Sequence, residues 1–128
     1  MITSRDLSGK PLFSITDGKK LGEIKDLYLD REMRQVAAVF LGKEGLISRK
    51  TLMIPRSSMQ VYGIDAWLVS ASDAVVGPDD VPDSGTFILV GDLRGRELQT
   101  EGGTKIGVID HVILDNEARV LGFGLGKV

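Results

Sequence analysis

The chain has 128 residues, of which 42% are hydrophobic and 27% are charged, and sixteen basic residues against eighteen acidic ones leave a net charge of −2. This composition supports a packed core, excludes general disorder, and gives no bulk attraction to nucleic acid or anionic lipid. The absence of cysteine excludes disulfides, thiolate chemistry and cysteine-ligated zinc.

Short apolar runs, each bounded by glycine, aspartate, proline or serine, predict an all-β chain. In the first half the predicted strands are Pro11–Ser14, Leu21–Asp30, Gln35–Leu41, Thr51–Ile54, Met59–Tyr62 and Ala66–Ser70. In the second half they are Thr86–Val90, Glu97–Thr100, Lys105–Asp115 and Val120–Leu125. A helical turn is expected around Ser70–Val76. The close spacing of the strands favours a small barrel or sandwich.

Two segments of seventeen residues, Gly18–Arg34 and Gly103–Arg119, align without a gap and are identical at eight positions, where composition alone would give roughly one. Upstream of them, Asp6–Leu12 matches Asp92–Leu98 when one inserted residue is allowed in the second half. A period of about 85 residues is too long for a solenoid and predicts duplication of a small domain. The boundary is expected at Gly77–Gly85, where prolines, aspartates and glycines leave little to contribute to a core.

The shared residues are interpreted as positions that specify the fold. They are Gly18, Gly22, Ile24, Leu29 and Asp30 in the first segment and Gly103, Gly107, Ile109, Leu114 and Asp115 in the second. Gly22 and Gly107 indicate a close backbone approach or a kink, and the two aspartates suit the first position of a turn. The apolar spacing of three after Ile24 and Ile109 predicts a β-bulge, or alternatively a bent strand half-buried on both faces.

The order and spacing of these features resemble the PRC-barrel family. The resemblance rests on Leu7–Leu12, Gly18–Asp30, Gln35–Leu41 and Met53–Pro55, and it covers Met1 to about Val76 and, in part, Phe87–Val128. It implies a compact β-barrel of about five or six strands that docks on proteins and has no active site. Such domains occur in the photosynthetic reaction-centre H subunit and in the ribosome maturation factor RimM.

The resulting prediction is a small PRC-type β-barrel at 1–76, a linker at 77–85 and a partial second barrel at 86–128. The second copy has no counterpart of Thr51–Val76, so it is expected to expose unpaired strand edges, which are adhesive. Three explanations remain open: edge pairing or strand exchange in a homodimer, completion by a partner protein, and a natural chain that continues past Val128.

Residues able to carry chemistry are sparse. His111, the only histidine, stands beside Asp110, but no nucleophile is indicated nearby, so a solvated strand residue is predicted. One imidazole without thiols argues against a metal site. Trp67 is predicted to pack in the core. The sequence therefore predicts no catalytic residue, no cofactor and no metal, and the chain is not expected to be an enzyme.

The densest basic patch consists of Arg49, Lys50 and Arg56. A solvated loop is favoured there over a surface for RNA or an acidic protein, because aromatic residues that could stack on bases are few. The alternative function, an RNA-processing or ribosome-associated factor like RimM, would require these residues to line one groove with Arg94 and Arg96. An enzyme would require a concave pocket containing an acid with a strongly shifted pKa.

The leading functional hypothesis is a non-enzymatic adaptor module that binds a protein partner or a second copy of itself through incomplete barrel edges. The opening residues lack the apolar stretch of a signal peptide, and no apolar run approaches the ~20 residues of a membrane span. A cytoplasmic protein without membrane insertion is therefore expected.

Overall fold

A computed structural model describes residues 1–45 and 50–126. The elements up to residue 76 are β1 (Ile2–Thr3), α1 (Ser4–Leu7), β2 (Pro11–Ser14), β3 (Lys20–Glu23), β4 (Asp26–Leu29), β5 (Val36–Glu44), β6 (Lys50–Pro55), β7 (Met59–Tyr62) and β8 (Trp67–Val69). The later elements are β9 (Ile88–Leu89), α2 (Val90–Leu93), β10 (Glu97–Gln99), β11 (Lys105–Leu114) and β12 (Val120–Gly126). One-turn 3₁₀ helices lie at Arg56–Ser58, Ser72–Ala74, Pro78–Asp80 and Ser84–Thr86. The prediction of an all-β chain is confirmed.

The strands of the described residues form three four-stranded sheets. One has the order β3-β2-β8-β7 and a second has the order β6-β5-β4-β9. In the third, β11 pairs with β1 and β10 along one edge and with β12 along the other. All pairs are antiparallel except β2 with β8. This arrangement leaves β12 at the outside of its sheet.

The predicted strand Leu21–Asp30 is wrong as one element, because the chain changes sheets within it. β3 pairs with β2, whereas β4 pairs with β5 and β9. The break falls at Ile24, whose backbone N–H donates to the Lys10 carbonyl while its own carbonyl accepts from Gly9 N–H, both at 2.8 Å. These two bonds hold Ile24 in the core at the point where the chain passes from β3, which pairs with β2, to β4 in another sheet.

The corresponding strand of the second half, β11, stays continuous and contains the predicted bulge. Its pairing with β12 shifts between Ile109 and His111, so that Asp110 has no cross-strand partner. Ile109 and Val112 therefore both point into the core in spite of their spacing of three. The prediction of a bulge is confirmed in β11.

The predicted strand Thr86–Val90 is shorter than expected, because α2 begins at Val90. A single helical turn, α1, likewise follows β1, and Thr3 caps it by accepting a hydrogen bond from Asp6 N–H at 3.2 Å. In each case the turn buries a leucine, Leu7 or Leu93, that an extended chain would have carried past the core.

The opening strand of each half pairs with the other half. Ile88 of β9 lies opposite Leu29 of β4, and Ile2 of β1 lies opposite Leu114 of β11. Leu29 and Leu114 occupy the same position in the two seventeen-residue segments. The two halves are thus tied together by a reciprocal exchange of strands.

Hydrogen bonds around the two corners also match. Gly9 N–H donates to the Ile24 carbonyl and Gly95 N–H donates to the Ile109 carbonyl, each at 2.8 Å. Gly9 and Gly95 both have positive φ angles, +86° and +85°, which glycine adopts without strain. The same corner therefore occurs at the same place in both halves.

One hydrophobic cluster takes residues from both halves. Its buried members are Leu7, Leu12, Ile24, Leu27, Leu29, Val36, Val39, Ile54, Trp67, Val69, Ala74, Val90, Leu93, Ile109, Val112, Leu114 and Ala118. A second, smaller cluster joins Val81 to Ala38 and Met53. Val81 is the one buried residue of the predicted linker Gly77–Gly85. The division into 1–76, 77–85 and 86–128 stays a prediction.

Candidate functional site

The outer edge of β12 is the most distinctive surface of the described chain. β12 pairs with β11 and, among the described residues, with no other strand. β5, the strand that follows the same turn in the first half, is paired on both edges, with β4 and with β6. Within the described residues, the side of β12 that faces away from β11 carries one backbone bond, from Val120 N–H to the Arg34 carbonyl at 2.8 Å, and is open beyond it.

Apolar side chains are exposed along this edge. Leu121 is 59% exposed and Leu125 is 43% exposed, and Ile106 on neighbouring β11 is 57% exposed. Residues directly opposite each other on paired strands point to the same face of a sheet. Leu125 lies opposite Ile109 and Phe123 lies opposite Val112, so both side chains point toward the core face and remain incompletely covered.

The sequence of β12, Val-Leu-Gly-Phe-Gly-Leu-Gly, contains no charge or proline to protect the edge, and its one irregularity is a bulge at Leu121, where the pairing with β11 shifts. Natural edge strands are usually blunted by lysine, proline, inward-pointing charge or a covering segment. Val120–Gly126, all described, includes no charged residue and no proline. The edge is thus chemically suited to pair with another strand.

His111 lies on the opposite face of the same pair of strands. Its side chain is only 14% exposed, so the prediction of a solvated strand residue is wrong. The physical reason is Gly124, directly opposite on β12: a Cβ there would lie 2.0 Å from His111 Cε1 and from Nε2. The imidazole occupies the space that the missing side chain leaves.

The other side of the His111 ring is held by Asp110. Nδ1 lies 2.8 Å from Asp110 Oδ2, which also receives Arg5 Nη1 at 3.2 Å. The hydrogen bond from His111, followed by the charge of Arg5, lowers the pKa of Asp110 below its ordinary value. The ion pair of Asp110 with Arg5 therefore connects β11 to α1.

A groove of about 420 Å³, called the junction groove below, lies where the two halves meet. It is lined by Ser4, Arg5, Ser8, Ile24, Lys25, Asp26, Leu27, Val90, Gly91, Arg94 and Asp110. Burial raises the pKa of Asp26, although the backbone N–H groups of Leu27 and Gly91 bond to its carboxylate and act in the opposite direction. Oδ1 accepts from Leu27 at 2.7 Å and Oδ2 accepts from Gly91 at 3.1 Å. Because both oxygens are engaged by backbone, this carboxylate connects β4 to α2.

The predicted basic patch is divided. Arg49 lies outside the described residues, and Lys50 and Arg56 flank the two ends of β6, about 20 Å apart for a strand of six residues. Lys50 borders a groove that also contains Asp79 and Asp80. Arg94 lines the junction groove instead. The structure does not bring these cations together.

Arg56 is engaged in holding the two halves together. Its Nη1 donates to the Val36 carbonyl at 2.9 Å and to the Ala118 carbonyl at 3.3 Å, and Nη2 donates to the Glu117 carbonyl at 2.6 Å. The guanidinium also lies 5.3 Å from the centre of the Tyr62 ring. A partly buried arginine with this set of bonds is a structural crosslink. No local pattern in the sequence indicates it, because its partners are backbone carbonyls of two distant turns.

The positions predicted to specify the fold lie at turns and close approaches. Gly18 and Gly103 have positive φ angles of +70° and +87°. At Gly107, a Cβ would come within 3.0 Å of the Gly126 carbonyl oxygen, so glycine admits β12 at this point. Asp30 accepts a hydrogen bond from Arg34 N–H at 2.8 Å, and Asp115 accepts the matching bond from Arg119 N–H at 2.9 Å. The buried apolar side chains of the set are those of Ile24, Leu29, Ile109 and Leu114.

Within the described residues, no group of three or more histidine, cysteine, aspartate or glutamate side chains could hold a metal ion. None of the helices in residues 1–45 and 50–126 has the length and apolar character needed to span a bilayer. Trp67 is buried, as predicted.

Short, mostly antiparallel strands around one shared core define this chain as an all-β protein with an open edge at β12. The PRC-barrel domain matches residues 1–73, more than half of the chain. The chain belongs to the PRC-barrel family. The match ends before the predicted second copy at 86–128. The comparison with curated proteins gives no match.

Proposed function

We propose that this protein is a non-enzymatic docking module of the PRC-barrel type that associates with a second copy of itself through the open edge of β12. One observation carries the proposal: among the described residues, β12 beyond Val120 pairs with β11 alone and exposes Leu121 and Leu125, with no charge or proline in Val120–Gly126 to protect it. Pairing of main-chain groups along this edge supplies affinity, and burial of the leucines supplies selectivity.

The proposal includes the view that residues 86–126 are a second, shorter copy of the domain. It is supported by the reciprocal pairing of Ile88 with Leu29 and of Ile2 with Leu114, and by the matching corners at Gly9 and Gly95. On this view, β12 takes the place of β5, and a docked strand takes the place of β6. A strand from another chain thus completes the sheet to which β12 belongs.

A role without catalysis is proposed because the two carboxylates of the junction groove whose pKa values are shifted are already engaged in hydrogen bonds and an ion pair. Asp26 gives both oxygens to backbone N–H groups, and Asp110 gives Oδ2 to His111 and Arg5. A cytoplasmic location is proposed with it, which the absence of cysteine fits because intracellular proteins seldom contain structural disulfides. Separation of Lys50, Arg56 and Arg94 favours protein docking over the RNA-binding alternative.

Light scattering on the purified chain and on two lysine variants tests the proposal. Leu125→Lys places a charge on the open edge, whereas Val61→Lys places one on β7, an edge strand of another sheet where the valine is 45% exposed. We expect the wild-type chain and Val61→Lys to form dimers at micromolar concentration and Leu125→Lys to dissociate at least about tenfold more readily. A monomeric wild-type mass throughout this range, or equal weakening by the two variants, contradicts the proposal.

A further inference from the structure

The open edge has a sequence that reads the same in both directions. From Leu121 to Leu125 it is Leu-Gly-Phe-Gly-Leu, with Phe123 at the centre. An antiparallel pair of identical strands about a twofold axis places residue i opposite a residue at an equal distance on the other side of the axis. A palindromic strand is therefore complementary to a second copy of itself in one particular register.

Resting on the proposed function, we propose that β12 pairs antiparallel with the same strand of a second copy about a twofold axis at Phe123. In this register Leu121 lies opposite the partner's Leu125, and Phe123 lies opposite the partner's Phe123. The glycines, Gly122 and Gly124, also oppose each other across the axis. The sheet that contains β12 in one chain then joins the same sheet of its partner, so that one continuous sheet runs across the dimer.

Side-chain faces support this register. Phe123 lies opposite Val112 within the chain and points to the core face. Across the axis, the central row becomes Val112, Phe123, the partner's Phe123 and the partner's Val112. Aromatic and β-branched cross-strand pairs of this kind stabilise antiparallel sheets. The row is apolar throughout and continues the core of each copy into that of the other.

Other registers fit less well. An axis placed between two residues pairs odd positions with even ones, so it sets the core face of one strand beside the outer face of the other. An axis at Gly122 places Leu125 opposite the partner's Arg119. With the axis at Phe123, each of the two exposed leucines meets a leucine: Leu125 lies opposite the partner's Leu121, which the bulge between Val120 and Gly122 turns out of the pairing with β11.

On the opposite face of the strand, β12 has glycines at the two positions beside Phe123. Gly122 has no heavy atom within 4 Å of an ideal Cβ position, and Gly124 is covered by the His111 ring of its own chain. The glycines therefore present no protruding side chain between the paired strands. A strand with three glycines can therefore serve as an interface, because it has no side chain of its own on this face to keep a second strand away.

Cysteine crosslinking tests the register directly, since the natural chain contains no cysteine. Phe123→Cys is expected to form a disulfide-linked dimer on mild oxidation, because residues opposite each other in an antiparallel pair have Cα atoms about 4.5–5.5 Å apart, within disulfide reach. Leu121→Cys and Leu125→Cys alone place the two thiols about 13 Å apart, beyond reach, whereas the double variant brings unlike positions together. Non-reducing gel electrophoresis reads the result.

The expected outcome is a crosslinked dimer for Phe123→Cys and for the double variant, with at least about tenfold less for each leucine single variant. The double variant keeps the Phe123 ring, so it tests the register even where Phe123→Cys unfolds the chain. A dimeric mass with self-crosslinking of a leucine single variant overturns the register and leaves the proposed function intact. A monomeric mass without any crosslink overturns both.

Discussion

His111 and Gly124 lie opposite each other on β11 and β12, and the imidazole fills the space above the glycine. Gly124→Ala puts a methyl group into that space and forces the ring away from Asp110. We expect a loss of about 1–3 kcal/mol in the free energy of unfolding, the usual cost of overpacking. Urea denaturation followed by circular dichroism measures it.

Two further variants control this measurement. Gly122→Ala in the same strand meets no atom within 4 Å, so it is expected to change stability by less than about 1 kcal/mol. In a His111→Ala background, Gly124→Ala is expected to cost clearly less than in the wild type, because the obstructing ring is gone. Equal costs in both backgrounds would show that the two residues are not coupled.

Arg56→Lys should weaken the connection between the two halves. A lysine cannot reproduce the fork that reaches the Val36, Ala118 and Glu117 carbonyls, so we expect a loss of about 1.5–3 kcal/mol in unfolding free energy. Arg31→Lys, at an exposed turn position, is the matched control and should be near neutral. If both variants unfold at the same urea concentration, Arg56 is not a structural crosslink.

Trp67 combines a buried ring with an indole N–H that finds no hydrogen-bond partner among the described residues. Its ring meets Tyr62 edge-on, with centroids 4.8 Å apart. Trp67→Phe keeps an aromatic ring and removes the unpaired donor, so a loss below about 1 kcal/mol is expected, against about 3–5 kcal/mol for Trp67→Ala. The comparison needs circular dichroism, because Trp67 is the only tryptophan. A loss of about 3 kcal/mol or more for Trp67→Phe would contradict the expectation that the indole N–H contributes no stabilising bond.

The two carboxylates of the junction groove should titrate on opposite sides of the ordinary aspartate value of 3.8. Burial raises the pKa of Asp26, whereas the hydrogen bond from His111 lowers the pKa of Asp110. Asp110 therefore stabilises the fold above the unfolded-state pKa, and this contribution is lost as pH falls through its lowered folded-state pKa. Asp26 acts with the opposite sign: its ionised form is disfavoured by folding, and protonation on acidification relieves that cost.

Carbon-detected NMR of the side-chain carboxyl groups measures both midpoints. His111→Ala should raise the Asp110 midpoint toward 3.8 and leave that of Asp26 unchanged, since the imidazole bonds Asp110. A midpoint of Asp26 below that of Asp110 in the wild-type chain is the result that would contradict this account of the groove.

Strands were predictable where turn residues stand at both ends of a short apolar run. Pro11–Ser14 and Met59–Tyr62 begin and end where the apolar runs do, because turn residues bound them on both sides. The helices α1 and α2 were not, since a four-residue turn is too short to display a helical period. Similar sequences around Ile24 and Ile109 gave a break in one half and a bulge in the other, because the outcome depends on the strand that pairs there.

The site was predictable in outline and not in detail. The match of Gly103–Arg119 to Gly18–Arg34 predicted a strand directly after Arg119, and β12 begins at Val120. The burial of His111 depends on Gly124, thirteen residues further along the chain. This cross-strand contact can be recognised only when the strand register is known. The role of Arg56 depends on two turns that meet only in the folded chain.

Hydrogen exchange at β12 tests the open edge most directly. Pairing with a second copy would protect, in proportion to chain concentration, the backbone N–H groups of Gly122–Gly126 that point away from β11, whereas Val120 N–H already donates to the Arg34 carbonyl at 2.8 Å. Between about 10 μM and about 1 mM chain, the account predicts that exchange slows at these amides while the amides of β7 keep their rates. Exchange at β12 that is equally fast at both concentrations would contradict it.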